Sequence, residues 1–390
     1  MPLPDFFQFE CPVKTHFGER ALENIAFELR GLNAGKPLII GDEAASQEGR
    51  LKAVKAAFKN AEMAIGVVDA VPTGDPDAMA QQLAAIYRDK DCDAIVAVGQ
   101  GPLLDITKWL NLMVSTGQET PSAFDGGTTI PRSLKPLAVV PSAAADGYEL
   151  SGYLRMGDVT LRSVHLMPPL LFIDSRATGM PGEVAMIETA LGALSNAIEV
   201  FYGEAANPMT AVYARTAAKL ATEALRQLAS GVDGGDSVAP TVAHAAALSG
   251  CALGAGPRTM TQRLGDAVAQ TGRISVSQAT AVILSYALEY RTIEHGLKID
   301  TLLGLLGGDD RYARTPDGQR SPSALYFLRN LLNRLFDTTS GQVCRTLMDA
   351  GLRRQDSIGA AMPLSSKENE PIAAACEVVL THAWEGRPLR

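Results

Sequence analysis

Short apolar runs alternate with amphipathic segments over the first 175 residues of this 390-residue chain. The runs rich in β-branched residues predict strands, and the segments between them, whose apolar residues recur with a helical period, predict helices. Strands joined by helices of this length need parallel crossovers, so the pattern predicts a doubly wound sheet covered on both faces. The predicted strands are 36–42, 61–70, 92–101 and 135–142, and the predicted helices lie near 46–60, 75–90 and 102–115.

The pattern changes after residue 180. The segments that follow are rich in Ala and Leu, repeat with a helical period and contain no β-type run, which predicts an all-helical second domain. Gly179, Pro181 and Gly182 interrupt the chain at the change, so the predicted domains are residues 1–180 and 181–390.

Two local features are predicted within these domains. The segments YELSGYLRM and VTLRSVHLM read as two short strands around a Gly157-Asp158 turn, which predicts a β-hairpin attached to the sheet. The polar, Pro- and Gly-rich stretch 308–322 predicts an exposed loop between helices.

The segment ETALGALSNAIEVF (188–201) predicts a helix with two distinct faces. On a 3.6-residue period one face is an apolar stripe, and the other carries Glu188, Gly192, Asn196 and Glu199. This polar face either rims a cleft or lies in bulk water. The apolar stripe consists of Ile187, Leu191, Leu194, Ile198 and Phe201.

Composition argues against nucleic-acid binding, membrane association and a cysteine- or histidine-based metal site. The chain carries a net charge of −8 without a run of Lys and Arg, so the basic patch expected of a nucleic-acid-binding protein is missing. Neither a signal-peptide pattern nor 18 consecutive apolar residues occurs, so no membrane association is expected and a cytoplasmic location is predicted. The five cysteines include no C-x-x-C pair and no two of the five histidines stand four residues apart, so neither a disulfide framework nor a zinc site is expected.

The first candidate for chemistry is the stretch VAVGQGPLLDITKWL (96–110), a buried strand that runs through a Gly-x-Gly turn into a helix. At such a turn the backbone N–H groups and the positive end of the helix dipole can approach a phosphate, and Pro102 suits the first helical turn. Plain turn chemistry explains the same residues. The P-loop pattern is absent.

Two further elements are placed to contact a nucleotide. Asp42 ends the strand 36–42, where an acid can accept hydrogen bonds from ribose hydroxyls and repel a 2′-phosphate, which favours NAD over NADP. The alternative is that Asp42 caps a helix that begins near Glu43. Ser142 lies in the small-residue loop after the strand 135–142, where a ligand could approach the backbone, although such loops are also ordinary turns.

Taken in order, these segments resemble the iron-dependent alcohol dehydrogenase superfamily, which includes glycerol dehydrogenases and, more remotely, dehydroquinate synthases. The resemblance implies a Rossmann-like α/β N-terminal domain and an all-helical C-terminal domain, with the active site in a cleft between them and NAD as cofactor. It assigns cofactor-binding positions to Asp42, Gly99, Gln100, Gly101, Asp105, Lys108 and Ser142. The segments that carry it are FGERALENI (17–25), PLIIGD, VGQGPLLDITK, PLAVVPSAAADGYE, PPLLFID and ETALGALSNAIEVF.

The chain departs from this family at the metal. The resemblance places the four metal-ligand positions, an Asp and three His in the family, at Gly192, Asn196, Gln262 and Val276, and a proton-relay His at Asp266. Gly and Val donate no lone pair, and amide oxygens are weak ligands for a transition metal. No metal is therefore predicted. In the nucleotide turn, Gln100 and Pro102 also replace a glycine and a serine of the family.

Three hypotheses follow. The favoured one is a metal-independent NAD-linked oxidoreductase in which Asn196 and Gln262 donate hydrogen bonds and Asp266 carries the proton. Its substrate is a small alcohol, aldehyde or ketone, and Arg258 or Arg263 could hold an anionic group. The others are a non-catalytic binding or regulatory member of the fold and a dehydroquinate-synthase-like lyase. A homodimer is expected from the resemblance, and a solvated face of the helix 258–270 is the alternative account of its polar residues.

Overall fold

The computed structural model describes residues 5–59, 61–69, 71, 74–124, 129–141, 147–156, 159–178, 182–231, 235–254, 256–367 and 370–389. The chain divides into two compact units. The sheet unit comprises Gln8–Pro181 with Leu253–Gly256, and the helical unit comprises Met1–Phe7, Gly182–Ala252 and Pro257–Arg390. Of the residues on which the predicted boundary rested, Gly179 and Pro181 lie outside the described residues.

The sheet unit is built on parallel strands. The strands are β1 (Lys14–Phe17), β2 (Pro37–Gly41), β3 (Gly66–Val68), β4 (Ala94–Gly99), β5 (Leu137–Pro141), β6 (Tyr153–Met156), β7 (Val159–Arg162) and β8 (Leu170–Ile173). Six of them form one sheet in the order β1-β8-β5-β4-β2-β3, and each neighbouring pair is parallel. All residues of the central strand AIVAVG (94–99) are buried, so the sheet is covered on both faces there. The predicted doubly wound sheet is confirmed.

One of the three helices predicted in the sheet unit differs from the structure, and the helices Ile25–Gly31 and Ser175–Thr178 were not predicted. The single helix predicted at 46–60 is wrong, because Gly49 adopts a left-handed conformation with φ 75° and divides the segment into two helices. The helices are α1 (Ile25–Gly31), α2 (Glu43–Gln47), α3 (Arg50–Ala57), α4 (Pro76–Asp89), α5 (Pro102–Thr116) and α6 (Ser175–Thr178).

Strands β6, β7 and β1 lie outside the four runs predicted for the sheet. The hairpin is confirmed, since β6 and β7 pair antiparallel with Tyr153 opposite Arg162, while its predicted Gly157-Asp158 turn lies outside the described residues. Strand β1 was not predicted. It is a largely exposed edge strand with a polar sequence, KTHF, so no apolar run marks it.

The helical unit contains no strand among its described residues, which confirms the predicted all-helical region. The exposed loop predicted at 308–322 is wrong, because α13 (Asp309–Arg314) and the start of α14 (Asp317–Thr338) occupy most of it. The polar residues of this stretch lie at helix ends: acidic residues begin α13, basic residues end it, and Pro316 precedes α14. The helices are α7 (Glu183–Phe201), α8 (Pro208–Leu228), α9 (Gly235–Leu253), α10 (Met260–Ala269), α11 (Val276–His295), α12 (Asp300–Gly307), α13 (Asp309–Arg314), α14 (Asp317–Thr338), α15 (Arg354–Lys367) and α16 (Glu370–Glu385).

Helix α7 lies in the core of the helical unit. Its apolar stripe packs in the main hydrophobic cluster of this unit, and on its polar face Asn196 and Glu199 are only 3% and 1% exposed. The polar face therefore does not lie in bulk water. By length and composition α7 could cross a membrane, but 72% of its apolar window is buried inside the structure, as in the core helix of a folded domain.

Candidate functional site

The Gly-x-Gly turn follows β4 at the carboxyl edge of the sheet. Gly99 has φ 152° and Gly101 has φ 57°, and residues with side chains rarely adopt such values. A Cβ atom on Gly99 would lie 2.3 Å from a carboxylate oxygen of Asp42, so close packing also requires glycine there. Gln100 is partly buried between the two glycines, and Pro102 is the first residue of α5. The structure thus brings Asp42 and the predicted nucleotide turn together.

The two carboxylate oxygens of Asp42 have different neighbours. Its Oδ1 accepts a hydrogen bond of 2.6 Å from the Ala45 N–H and caps α2, so the capping alternative is confirmed for this oxygen. The guanidinium of Arg50 lies 3.8 Å from Oδ1. The other oxygen, Oδ2, is the one that faces Gly99. The Asp42 carboxylate therefore caps α2 with one oxygen and presents the other as a hydrogen-bond acceptor beside the Gly-x-Gly turn.

Asp105 and Lys108 direct their side chains to the hairpin. Asp105 Oδ1 accepts a hydrogen bond of 2.9 Å from the Arg155 N–H. The buried ammonium of Lys108 donates to the carbonyl oxygens of Ser151 at 2.7 Å, Tyr153 at 2.9 Å and Tyr148 at 3.4 Å. Burial lowers the pKa of Lys108 to about 8. These donors serve the protein backbone, and a direct cofactor contact of either residue stays a prediction.

The remaining predicted cofactor residue, Ser142, lies outside the described residues. The same loop ends at Glu149, which is described. Glu149 is buried, and its Oε2 accepts a hydrogen bond of 3.0 Å from the Gly147 N–H. This part of the loop is therefore held by its own side chain.

In the helical unit, two of the four metal-ligand positions contact each other directly. Gln262 Nε2 donates a hydrogen bond of 3.1 Å to Asn196 Oδ1, and the two side chains are 2% and 3% exposed. Gln262 Oε1 accepts from the Thr259 N–H at 3.0 Å, in a capping box at the start of α10. The backbone N–H thereby fixes which end of the Gln262 amide faces Asn196. The two amides form one bonded pair between α7 and α10.

Asp266 lies one turn further along α10. It forms an ion pair with Arg258, and both side chains are mostly buried. Gln262 is buried and Asp266 is mostly buried, while Gln270 on the same face is exposed. The solvated-face alternative therefore holds only for Gln270. The structure brings Asn196, Gln262, Asp266 and Arg258 into one polar cluster.

The residues at the family's metal positions do not fit a divalent metal. Gly192 and Val276 offer no donor atom, and the oxygens of Asn196 and Gln262 each accept a hydrogen bond within the protein. Within the described part of the chain, no three His, Cys, Asp or Glu side chains come together as a potential metal site. Glu188, an acid one turn before Gly192 on α7, accepts a hydrogen bond of 2.5 Å from Gln278.

Two contributors to these sites were missed in the sequence. Thr259 supplies the capping box that orients Gln262, and the spacing T-x-x-Q before an apolar run was a signal for it. Arg50, buried beside Asp42 and 2.9 Å from Glu48, had no such signal, because an arginine at a helix start usually lies on the surface.

Comparison with known proteins finds similar sequences and a similar fold among dehydrogenases and reductases. The NAD-dependent methanol dehydrogenase of Bacillus methanolicus is 23% identical over 233 residues, which cover 58% of this chain and 61% of that relative, less than two thirds of its length. The 1,3-propanediol dehydrogenase of Klebsiella pneumoniae is 23% identical over 315 residues, 77% of this chain and 79% of the relative. The crystal structure of maleylacetate reductase from Rhizobium sp. strain MTP-10005 has the same fold, with a TM-score of 0.76, 21% identity and coverage of 99% and 100% of the two chains.

Two family sequence models match consecutive parts of the chain. The model described as iron-containing alcohol dehydrogenase matches residues 12–175. The model described as the C-terminal part of the Fe-containing alcohol dehydrogenase family matches residues 186–361. Together they cover both units, and the chain therefore belongs to the iron-containing alcohol dehydrogenase family of oxidoreductases.

Proposed function

We propose that this protein is an NAD-linked oxidoreductase that interconverts a small alcohol and its aldehyde or ketone without a bound metal. Membership of the family supports the reaction class. The name of the Bacillus methanolicus relative supports NAD as the hydride carrier. The structural observation that supports the metal-free part is the hydrogen bonding of Asn196 and Gln262, since the amide oxygen of each already accepts a hydrogen bond within the protein.

The preference for NAD rests on Asp42. Its Oδ2 faces Gly99 at the carboxyl edge of the sheet, where the ribose of a dinucleotide binds in doubly wound folds. A carboxylate there accepts hydrogen bonds from the two ribose hydroxyls and repels a 2′-phosphate. The Asp42→Asn variant tests this, because asparagine still caps α2 but carries no charge. The variant is expected to retain its stability and to lose most of its preference for NADH over NADPH.

Without a metal, the carbonyl of the substrate has to be polarised by hydrogen-bond donors or a cation. Asn196 and Gln262 supply amide donors, and Arg258 supplies a guanidinium that could also hold an anionic group on the substrate. Asp266 is the group placed to exchange a proton with the alcohol oxygen. The ion pair between Asp266 and Arg258 holds the acid and the cation next to each other.

The first experiment measures cofactor binding. NADH is titrated into the purified protein while nicotinamide fluorescence is recorded, with NADPH as the comparison. Saturable NADH binding in the micromolar range supports the proposal, whereas no binding at millimolar NADH refutes it. Turnover of a panel of neutral and anionic aldehydes follows, with and without a chelator, and is expected to be insensitive to the chelator.

Asp266→Asn tests the proton carrier. The substitution keeps the shape of the side chain and is expected to reduce kcat at least 100-fold, within the range for loss of a general acid or base. Gln270→Ala is the matched control, because Gln270 is exposed on the same face of α10. Equal turnover in both variants would remove Asp266 from the mechanism.

A non-catalytic binding role is the second candidate. The near-complete burial of the Asn196–Gln262 pair favours it, since buried amides already bonded to each other are poorly placed to receive a substrate. NADH binding without turnover of any carbonyl in the panel would support this role. A homodimer and a cytoplasmic location stay predictions, and sedimentation velocity tests the first.

A further inference from the structure

Arg50 is a buried cation next to the acid at the end of β2. It is the first residue of α3, and its side chain is only 5% exposed. Its Nη2 lies 3.8 Å from Oδ1 of Asp42, whose other oxygen faces Gly99 in the Gly-x-Gly turn. All three residues belong to the sheet unit. A positive charge therefore lies beside the carboxylate on which the proposed preference for NAD rests.

The guanidinium of Arg50 has more donors than its neighbours use. Its Nε lies 2.9 Å from Oε2 of Glu48, in an ion pair that lacks the alignment of a hydrogen bond. Among the residues that the structure describes, neither Nε nor Nη1 of Arg50 has a hydrogen-bond partner, although both atoms are buried. Burial of polar N–H groups without acceptors is costly. Arg50 is thus a cation that is held in place with N–H donors left over.

The two neighbouring acids determine the charge that a ligand meets at this place. The side chain of Asp42 is 26% exposed and that of Glu48 is 60% exposed, so together with Arg50 they carry one more negative than positive charge. Solvent screens the charge of the more exposed Glu48. Without the charge of Asp42, the buried guanidinium would dominate. In doubly wound folds, an arginine near the ribose accommodates a 2′-phosphate where no acid excludes it.

We infer that Arg50 is a specificity-determining residue, a cation suited to a 2′-phosphate that Asp42 keeps neutralised. The inference rests on the proposed function for the place where the ribose binds. Asp42 then acts against NADPH in two ways, since its charge repels the 2′-phosphate and also cancels the guanidinium that would attract this group. Loss of the charge of Asp42 therefore lets Arg50 attract the 2′-phosphate.

The test uses two nucleotide fragments, so that neither the nicotinamide nor turnover is needed. Adenosine 2′,5′-bisphosphate and adenosine 5′-monophosphate differ only in the 2′-phosphate, and isothermal titration calorimetry measures the dissociation constant of each. The selectivity for 2′-phosphate is the ratio of the two constants. It is expected to be about tenfold higher in Asp42→Asn than in Asp42→Asn/Arg50→Met, the factor that a hydrogen bond to a charged group implies. Asp42→Asn/Arg50→Lys, which keeps the charge, should retain most of this selectivity.

Two further variants are made in the Asp42→Asn background. Lys52→Met is the matched control, because it removes a positive charge from an exposed position of the same helix, and it should leave the selectivity within about twofold. Glu48→Gln removes the acid that competes for Arg50 and should raise the selectivity about twofold. Because Glu48 is exposed, this variant keeps the inference testable if Arg50→Met does not fold.

Equal selectivity in Asp42→Asn and Asp42→Asn/Arg50→Met overturns the inference. A loss in Lys52→Met as large as the loss in Arg50→Met overturns it as well, and so does the absence of binding of either fragment to every variant. NADH titrated into the wild type separates the two proposals. NADH binding with a selectivity that does not depend on Arg50 refutes only this inference, whereas Arg50-dependent selectivity in a protein that binds no NADH refutes only the proposed function.

Discussion

The bonded amide pair gives the sharpest test of how the helical unit is held together. Asn196 on α7 and Gln262 on α10 are both almost completely buried and joined by a hydrogen bond of 3.1 Å. The test compares the single substitutions Gln262→Met and Asn196→Leu, which replace each amide by an apolar side chain with a similar number of heavy atoms, with the double substitution. If the pair is a structural link, the two single changes must not be additive.

The size of each effect follows from the partners that are lost. Gln262→Met removes the bond to Asn196, which leaves a buried polar group at a cost of about 1–3 kcal/mol. It also removes the capping-box bond to the Thr259 N–H, worth a further ~0.5–1 kcal/mol. Asn196→Leu loses the shared bond and is expected to cost about 1–3 kcal/mol. Each single variant leaves one amide without its partner, whereas the double variant contains neither amide. Its cost should therefore fall short of the sum of the two single costs by about 1 kcal/mol or more.

The assay has to report on the helical unit alone. The chain has two tryptophans, Trp109 in α5 and Trp384 in α16. In a Trp109→Phe background, the fluorescence of Trp384 follows urea unfolding of the helical unit. The free energies of the four proteins of the cycle are then compared at constant slope of the urea dependence.

The reasoning fails if the free energies of Gln262→Met and Asn196→Leu add to within about 0.3–0.5 kcal/mol, the scatter for independent sites. A second cycle provides the control. It pairs Gln262→Met with Gln270→Met, an exposed residue on the same helix. This second cycle is expected to be additive.

Three further outcomes are expected. Zn²⁺ titrated into Asn196→His/Gln262→His should bind with measurable heat and raise the unfolding temperature, since the two side-chain ends converge, whereas the wild type should give no such signal. Gly99→Ala should destabilise the sheet unit by at least ~2 kcal/mol and weaken NADH binding, because its Cβ would meet the Asp42 carboxylate at a positive φ. Gly117→Ala is the control, because Gly117 also has a positive φ but a Cβ there would have no atom within 4 Å. The pKa of Lys108 is lowered to about 8 by burial. Above that pH the native chain has released the proton of Lys108, while the unfolded chain still binds it. The free energy of unfolding should therefore rise by about 1 kcal/mol between pH 7 and pH 9. Urea unfolding followed by Trp109 fluorescence in a Trp384→Phe background should show that rise with Lys108 present and lack it in Lys108→Met.

The fold could be predicted from the sequence where patterns are local. Strands β2, β4 and β5 are apolar runs buried on both faces, and the helices between them repeat with a clear period. The misses have local causes that a pattern does not show. Gly49 breaks a helix through its own backbone conformation, and the polar residues at 309–317 serve helix ends rather than a loop.

The site was harder to predict because its bonds join distant residues. Asn196 and Gln262 are 66 residues apart, and a sequence shows two amides without showing that they face each other. Lys108 matches a family motif, but its donors go to carbonyls 43 and 45 residues further along the chain. Residue type and position therefore identified the right elements, while the partner of each side chain depended on tertiary packing.

The polar face of α7 is explained by its neighbours. Three of its side chains each meet a polar side chain from α10 or α11: Glu188 accepts from Gln278, Asn196 from Gln262, and Glu199 from Thr261 at 2.7 Å. Burying a polar group costs little when its partner is buried with it, so this arrangement lets a polar face lie within the core of a helical unit. Restoring a metal at Asn196 and Gln262 would break the central bond of the three, so a gain of metal binding should come with a loss of metal-free stability.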